Sequence, residues 1–173
     1  MKPIIEVVKA NPGDINILQA IGKYTFYETY SDENTKEDMN KYLAENFSRE
    51  NLLSEINMPG TDFYFAKKLL KFVGYLKLNF GQSQTELKDS NGLEIERIYV
   101  LQDFHGKKIG QVLYDKALKV AKEKNAQFIW LGVWEKNPKT IRFYEKNGFV
   151  EFDKHTFLLG SDKQTDIMMK LEL

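Results

Sequence analysis

Leu93-Glu94-Ile95-Glu96-Arg97-Ile98-Tyr99-Val100, followed by Phe104-His105-Gly106-Lys107-Lys108-Ile109-Gly110-Gln111, is the stretch that decides how this chain is read. The first run has the alternation and the β-branched and aromatic content of a strand. Strict alternation puts Glu94, Glu96, Ile98 and Val100 on one face and Ile95, Arg97 and Tyr99 on the other. The second run leads through a glycine-containing loop into a helix over 109–124. That helix carries Ile109, Val112, Leu113, Ala117, Val120 and Ala121 at helical spacing. A helix that starts at such a loop presents unpaired backbone N–H groups, an arrangement suited to a pyrophosphate. The loop matches neither G-x-x-x-x-G-K-[ST] nor G-x-G-x-x-G, so neither nucleotide signature is present.

Downstream, Phe128 to Trp134 is almost wholly apolar, as expected of a strand covered on both faces. A short helix follows over 138–147. Asn137 is its N-cap, Pro138 takes its first position and Gly148 its C′ position. Thr140, Phe143, Tyr144 and Asn147 share one side of it. Two strands close the chain, over 149–158 and 165–171. Upstream, a strand over 4–9 precedes the turn Asn11-Pro12-Gly13-Asp14 and a helix from Ile15. A polar loop is expected over 28–38, then short helices near 36–46 and 49–57. Strands follow over 62–66 and 72–80, and Gly81 to Asn91 is a polar loop. No repeat, linker or low-complexity tract interrupts the pattern. The expectation is one α/β (α+β) domain over 1–173, with a central mixed sheet of six to seven strands flanked by helices.

Composition narrows the function classes. Of 173 residues, 25 are basic and 25 acidic, and a zero net charge argues against a nucleic-acid partner or a polybasic membrane surface. The chain has no Cys, which removes disulfides, a thiol nucleophile and a thiolate zinc site, and points to a reducing, cytoplasmic setting. With only His105 and His155, no histidine-rich metal site is expected. No run reaches the roughly 18 apolar residues of a membrane span. Met1-Lys2-Pro3 and the residues after it lack a signal-peptide core, so the sequon Asn46-Phe47-Ser48 is read as chance.

The order Ile-Tyr-Val, glycine loop and helix, apolar strand, then Asn137 followed by Phe143-Tyr144 and Gly148-Phe149 resembles the GCN5-related N-acetyltransferase (GNAT) family. Three stretches look like its PaiA type, spermidine/spermine N-acetyltransferases: Leu93 to Tyr99, Ile129 to Asn137, and His155-x-Phe157-x-x-Gly160 before Gln164-Thr165-Asp166. The resemblance is close over 93–152 and one of pattern elsewhere. It implies a mostly antiparallel sheet and transfer of an acetyl group from acetyl-CoA to a primary amine, a polyamine first of all. Transfer is direct, in a ternary complex, without a covalent enzyme intermediate.

The resemblance also assigns residues. Ile98, Tyr99 and Val100 pair through their backbone with the pantetheine arm, and a backbone N–H holds the thioester carbonyl. His105, Gly106, Lys107, Lys108, Ile109, Gly110 and Gln111 form the pyrophosphate loop. His105 and Lys108 depart from the family pattern Gln/Arg-x-x-Gly-x-Gly/Ala. Asn137 contacts the CoA arm, and Tyr144 is the general acid. Glu96 or Glu94 is the base, directly or through water, and the alternative for each is a charge partner of Arg97 or a lysine. The acidic stretch containing Glu28, Asp32 and Glu33 suits a polycation, with Tyr24, Phe26, Tyr27 and Tyr30 beside it. The alternative there is a solvated loop. His155 is either a structural histidine or a contact for the acceptor. A protein or peptide amine as acceptor, or a non-catalytic acyl-CoA-binding regulator of the same fold, remain the other readings. A homodimer is compatible with all of them.

Overall fold

The computed structural model describes residues 4–173, so the reading of Met1-Lys2-Pro3 lies outside the described residues. The elements run in the expected order. Strand β1 (Ile5–Lys9) is followed by helices α1 (Ile15–Tyr30), α2 (Lys36–Asn46) and α3 (Arg49–Ile56). Then come β2 (Thr61–Lys68), β3 (Lys71–Phe80), β4 (Gly92–Val100), α4 (Ile109–Glu123), β5 (Phe128–Trp134), α5 (Pro138–Lys146), β6 (Val150–Leu159) and β7 (Asp162–Glu172). They build one seven-stranded sheet in the order β1-β2-β3-β4-β5-β7-β6. Only β4 and β5 pair in parallel; every other neighbouring pair is antiparallel. The mixed, mostly antiparallel sheet expected from the sequence is therefore observed. Among the described residues no helix is long and apolar enough to cross a membrane.

Two layers of side chains cover the sheet. On one face, Ile109, Leu113, Ala117, Val120 and Ala121 of α4 and Tyr144 of α5 pack on Leu93, Ile95, Ile129, Leu131 and Val133. On the other, Ile15, Leu18 and Phe26 of α1, Met39 of α2 and Leu52 of α3 pack with Phe63, Phe65, Tyr75 and Trp134. This explains the unbroken apolar run of β5, whose odd and even positions each face a core. Thr35, Ser48 and Asn137 each accept a backbone N–H as N-caps of α2, α3 and α5.

Two expectations are corrected. The polar stretch from Glu28 is not a loop at its start, because α1 continues to Tyr30 and only then passes into a short 3-10 turn. Phe26 and Tyr30 are buried one turn apart and stacked, so the apolar side of α1 outlasts the polar residues between them. The strict alternation of β4 also fails. Lys77 pairs with Arg97 but Leu78 pairs with Ile95, leaving Glu96 as an extra residue in a β-bulge. The bulge resets the phase, so Leu93, Ile95, Ile98 and Val100 all face α4, while Tyr99 faces the opposite core. Glu94 and Ile98 are thus on opposite faces.

Candidate active site

The bulge lies where β4 and β5 part. Their parallel pairing runs only from Gly92↔Phe128 to Ile95↔Leu131, and beyond it the strands diverge. The gap opens a cleft of about 720 Å³ that reaches both layers. Ile98, Tyr99 and Val100 line it, each already paired with β3 on its far side, so the near edge of β4 is left toward the cleft. Across the gap stand Gly132, Val133 and Trp134 of β5.

One end of the cleft is the start of α4. The first N–H groups of a helix have no partner within it, and here the N-cap position, Lys108, supplies no side-chain bond. This differs from the capped starts of α2, α3 and α5. His105, Gly106, Lys108, Ile109, Gly110 and Gln111 line the cleft. A Cβ on Gly110 would meet nothing within 4 Å, so the approach to the helix end is open. Lys108 takes the left-handed conformation, φ +62°, and so absorbs in its own backbone the substitution of a position where the family pattern carries glycine. The His105 ring bonds back to the strand, its Nε2 donating to the Val100 carbonyl at 2.7 Å. Lys107 is not brought to the cleft; its ammonium donates to the Asp103 carbonyl and lies over the Phe104 ring. An uncapped helix end with Lys108 beside it can hold an anionic phosphate group.

Tyr144 and Asn137 meet in the same cleft. Asn137 caps α5 by accepting from the Thr140 N–H, and its side chain also lines the cleft. Tyr144 is 2% exposed, its ring packed edge-on to Phe143 and Phe149. Burial pushes its phenol far up, so it stays protonated across the physiological range.

At the other end the two predicted carboxylates separate. Glu96 lines the cleft; Glu94 does not. Glu94 is buried beneath it, accepting from the Asn79 amide at 2.9 Å, the Thr85 N–H at 2.8 Å and the Thr85 hydroxyl at 2.5 Å. Burial raises its pKa, against the pull of those bonds. Glu96 meets Lys77 at 2.6 Å and accepts from Asn79 at 2.6 Å, and Arg97 stands 3.8 Å away. Burial pushes Glu96 up, but Arg97 and Lys77 outweigh it and hold its carboxyl below the ordinary range. Glu55 of α3 completes the network, pairing with both Lys77 and Arg97. Two buried cations facing two carboxylates satisfy the rule that interior charge is compensated.

Beside Glu96, Tyr30 and Tyr99 line the cleft. Burial pushes both phenols up, Tyr99 to about 12. Glu28, Asp32 and Glu33 are not brought to the cleft. Glu28 accepts from the Gln102 N–H at 3.0 Å and braces the segment after β4, and Glu33 pairs with Lys136 at 3.2 Å near the surface. Asp32 is exposed in the turn after α1. A residue the sequence reading left without a role is Asp166 of β7. It is largely buried, and that burial raises its pKa to about 6, with His155 opposing and Glu86 adding to the shift. Its sequence signal is the polar run Gln164-Thr165-Asp166 in β7, which also belongs to the third stretch of the resemblance.

The profile of the acetyltransferase (GNAT) family matches residues 23–149, a span that contains the whole cleft. An uncharacterized N-acetyltransferase of Lactobacillus delbrueckii subsp. lactis is 38% identical over 98% of both chains. A spermidine N(1)-acetyltransferase of Thermoplasma acidophilum is 28% identical, covering 84% of this chain and 88% of its own. The crystal structure of a PaiA N-acetyltransferase from the same archaeon, in complex with coenzyme A, superposes with a TM-score of 0.79 at 26% identity, covering 98% of this chain and 99% of that one. The divergent β4–β5 pair, the uncapped α4 and these likenesses agree, and the chain belongs to the GNAT family of acetyl-CoA-dependent N-acetyltransferases.

Proposed function

We propose that the acceptor is a primary amine of a polyamine such as spermidine or spermine, acetylated directly in a ternary complex with acetyl-CoA. The observation that carries this reading is the polarity of the cleft. Its lining lysines, Lys108 and Lys139, stand at the starts of α4 and α5, and its lining carboxylate, Glu96, stands at the bulge beside Tyr30 and Tyr99. A donor with phosphates suits the first end, and an ammonium suits the second. The spermidine acetyltransferase of Thermoplasma acidophilum among the relatives supports the same acceptor.

The donor supplies a thioester carbonyl as the electrophile. The chain's own groups do the rest. The amides at Ile109, Gly110 and Gln111 and the Lys108 ammonium would hold the pyrophosphate, the β4 edge at Ile98 to Val100 the extended arm, and Asn137 the same arm from α5. The Tyr144 phenol, protonated at neutral pH, donates to the departing sulfur. Glu96, held ionised by Lys77 and Arg97, attracts the acceptor's ammonium; the same cations make it a weak proton acceptor. The test is a panel of spermidine, spermine, monoamines, amino acids and lysine or N-terminal peptides with acetyl-CoA, read as free thiol. Polyamines should give the highest kcat/KM. Turnover of peptides alone would replace the polyamine by a protein amine, and acetyl-CoA binding without any turnover would favour a regulatory chain.

A further inference from the structure

Gly132 lines the cleft from β5, and its missing side chain matters to what lies behind it. A Cβ there would stand 3.1 Å from Asp166 Oδ2 and 3.4 Å from His155 Cε1. Asp166 and His155 thus lie directly against Gly132 of the cleft wall, without lining the cleft themselves. The register assembles them: Asp166 is paired with Trp134 of β5 on one side and with His155 of β6 on the other. Glu86, from the loop before β4, approaches the ring's outer side. His155 Nε2 is 3.7 Å from Asp166 Oδ2, and His155 Nδ1 is 3.3 Å from Glu86 Oε1. Side-chain exposure rises along this row, 17% at Asp166, 29% at His155 and 39% at Glu86. Two of its atoms, Asp166 Oδ1 and His155 Nδ1, are sealed from solvent without a hydrogen-bond partner among the described residues. Buried polar atoms are rarely left so, and a slightly long array of this kind tightens when a substrate is bound.

We propose that Asp166 takes the proton of the acceptor's ammonium through one water at Gly132, and that His155 and Glu86 carry it from there to solvent. The inference rests on the acetyltransferase reading of the cleft and names the group that this reading lacks. The ammonium gives one proton to the Asp166 carboxylate. The freed nitrogen forms the C–N bond to the acetyl carbon while the C–S bond breaks, and a second nitrogen proton ends on the departing sulfur. Amide, thiol and one proton result, and that proton leaves through His155 and Glu86. Burial gives Asp166 a pKa of about 6, so at neutral pH it is ionised yet more basic than an ordinary carboxylate. The other titratable groups facing it are the phenols of Tyr30, Tyr42 and Tyr99, all raised by burial and neutral.

Asp166→Asn keeps the shape and removes the base. At pH 7 its kcat with spermidine should fall by about 10²-fold or more, with the KM for acetyl-CoA little changed. The wild-type acid limb near pH 6, where the carboxylate takes up its proton, should vanish from the kcat/KM profile. Glu86→Gln should make the rate depend on buffer concentration, as expected when an exit for protons is lost. The folded chain binds the Asp166 proton more tightly than the unfolded chain, so above pH 6 the folded state carries an unfavourable buried charge. Asp166→Asn should therefore raise Tm at pH 8, whereas a merely structural aspartate predicts a lower Tm. Full activity and an intact acid limb in Asp166→Asn, with the wild type active, would overturn the proton path alone. A wild type that acetylates no amine in the panel would overturn the acetyltransferase reading and this inference with it.

Discussion

Tyr144 combines a packed ring with a hydroxyl that makes no hydrogen bond among the described residues and that is not among the sealed, partnerless polar atoms, unlike the hydroxyl of Tyr75. The ring is held by Phe143 and Phe149, and the hydroxyl is left for the cleft. Tyr144→Phe therefore separates packing from chemistry. Because no protein bond is lost, Tm should stay within about 1 °C. If the phenol protonates the departing sulfur, kcat should fall by about 10²-fold or more with the KM for acetyl-CoA unchanged, the pattern of an interaction made in the transition state. Steady-state rates and a melting curve on one preparation check both. A tyrosine that only packs would retain kcat. The residue scale is also where the sequence was most informative. Asn137 as a cap and Gly110 in a helix start were legible from local rules, whereas Tyr144 was singled out only through the family resemblance. Asp166 was not legible, because its neighbours Gly132, His155 and Glu86 come from three other segments and meet only through strand register.

At the scale of elements, β4 and the start of α4 set the site. The strand was legible as a strand, but the faces of its residues were not. A bulge is a relation between two chains of a ladder, and alternation along one of them carries no record of it. The bulge sends Glu96 into the buried network of Lys77, Arg97, Glu55 and Asn79, and Glu94 onto Thr85, although the two are neighbours on one strand. The start of α4 bears on Lys108. A non-glycine residue in the left-handed region costs about 1 kcal/mol. Lys108→Gly should release this strain and, after glycine's extra entropy loss, stabilise the chain by up to about 1 kcal/mol. The same change removes a charge from the phosphate end of the cleft, so the KM for acetyl-CoA should rise, and rise less at high salt. Denaturant melts and KM measured at two salt concentrations check the pair of effects. An unchanged KM at low salt would remove the Lys108 ammonium from phosphate binding and leave the backbone amides as the binding groups.

Across the whole molecule, the sheet is two ladders joined at one short seam. Strands β1 to β4 and strands β5 to β7 are each continuously paired, whereas β4 and β5 share four paired positions. The helices bridge the seam: α4 packs on β3, β4 and β5, and Tyr30 of α1 packs at a tilt against Trp134 of β5. The cleft is the price of parting the strands, since it leaves backbone edges on both sides without ladder partners. A ligand laid between them restores those contacts and ties the two ladders together. Acetyl-CoA at 100 times its Kd should then stabilise the chain by about 2.7 kcal/mol, which for a chain of this size is a rise in Tm of about 5–10 °C. The location of the effect is the sharper test. Amide exchange should slow at Ile98 to Val100, at Gly132 to Trp134 and at the first turn of α4, and change little in the β2–β3 ladder, whose bonds are already closed. A melting shift with protection spread evenly over the sheet would mean that the ligand binds elsewhere, and the seam would lose its claim to be the donor site.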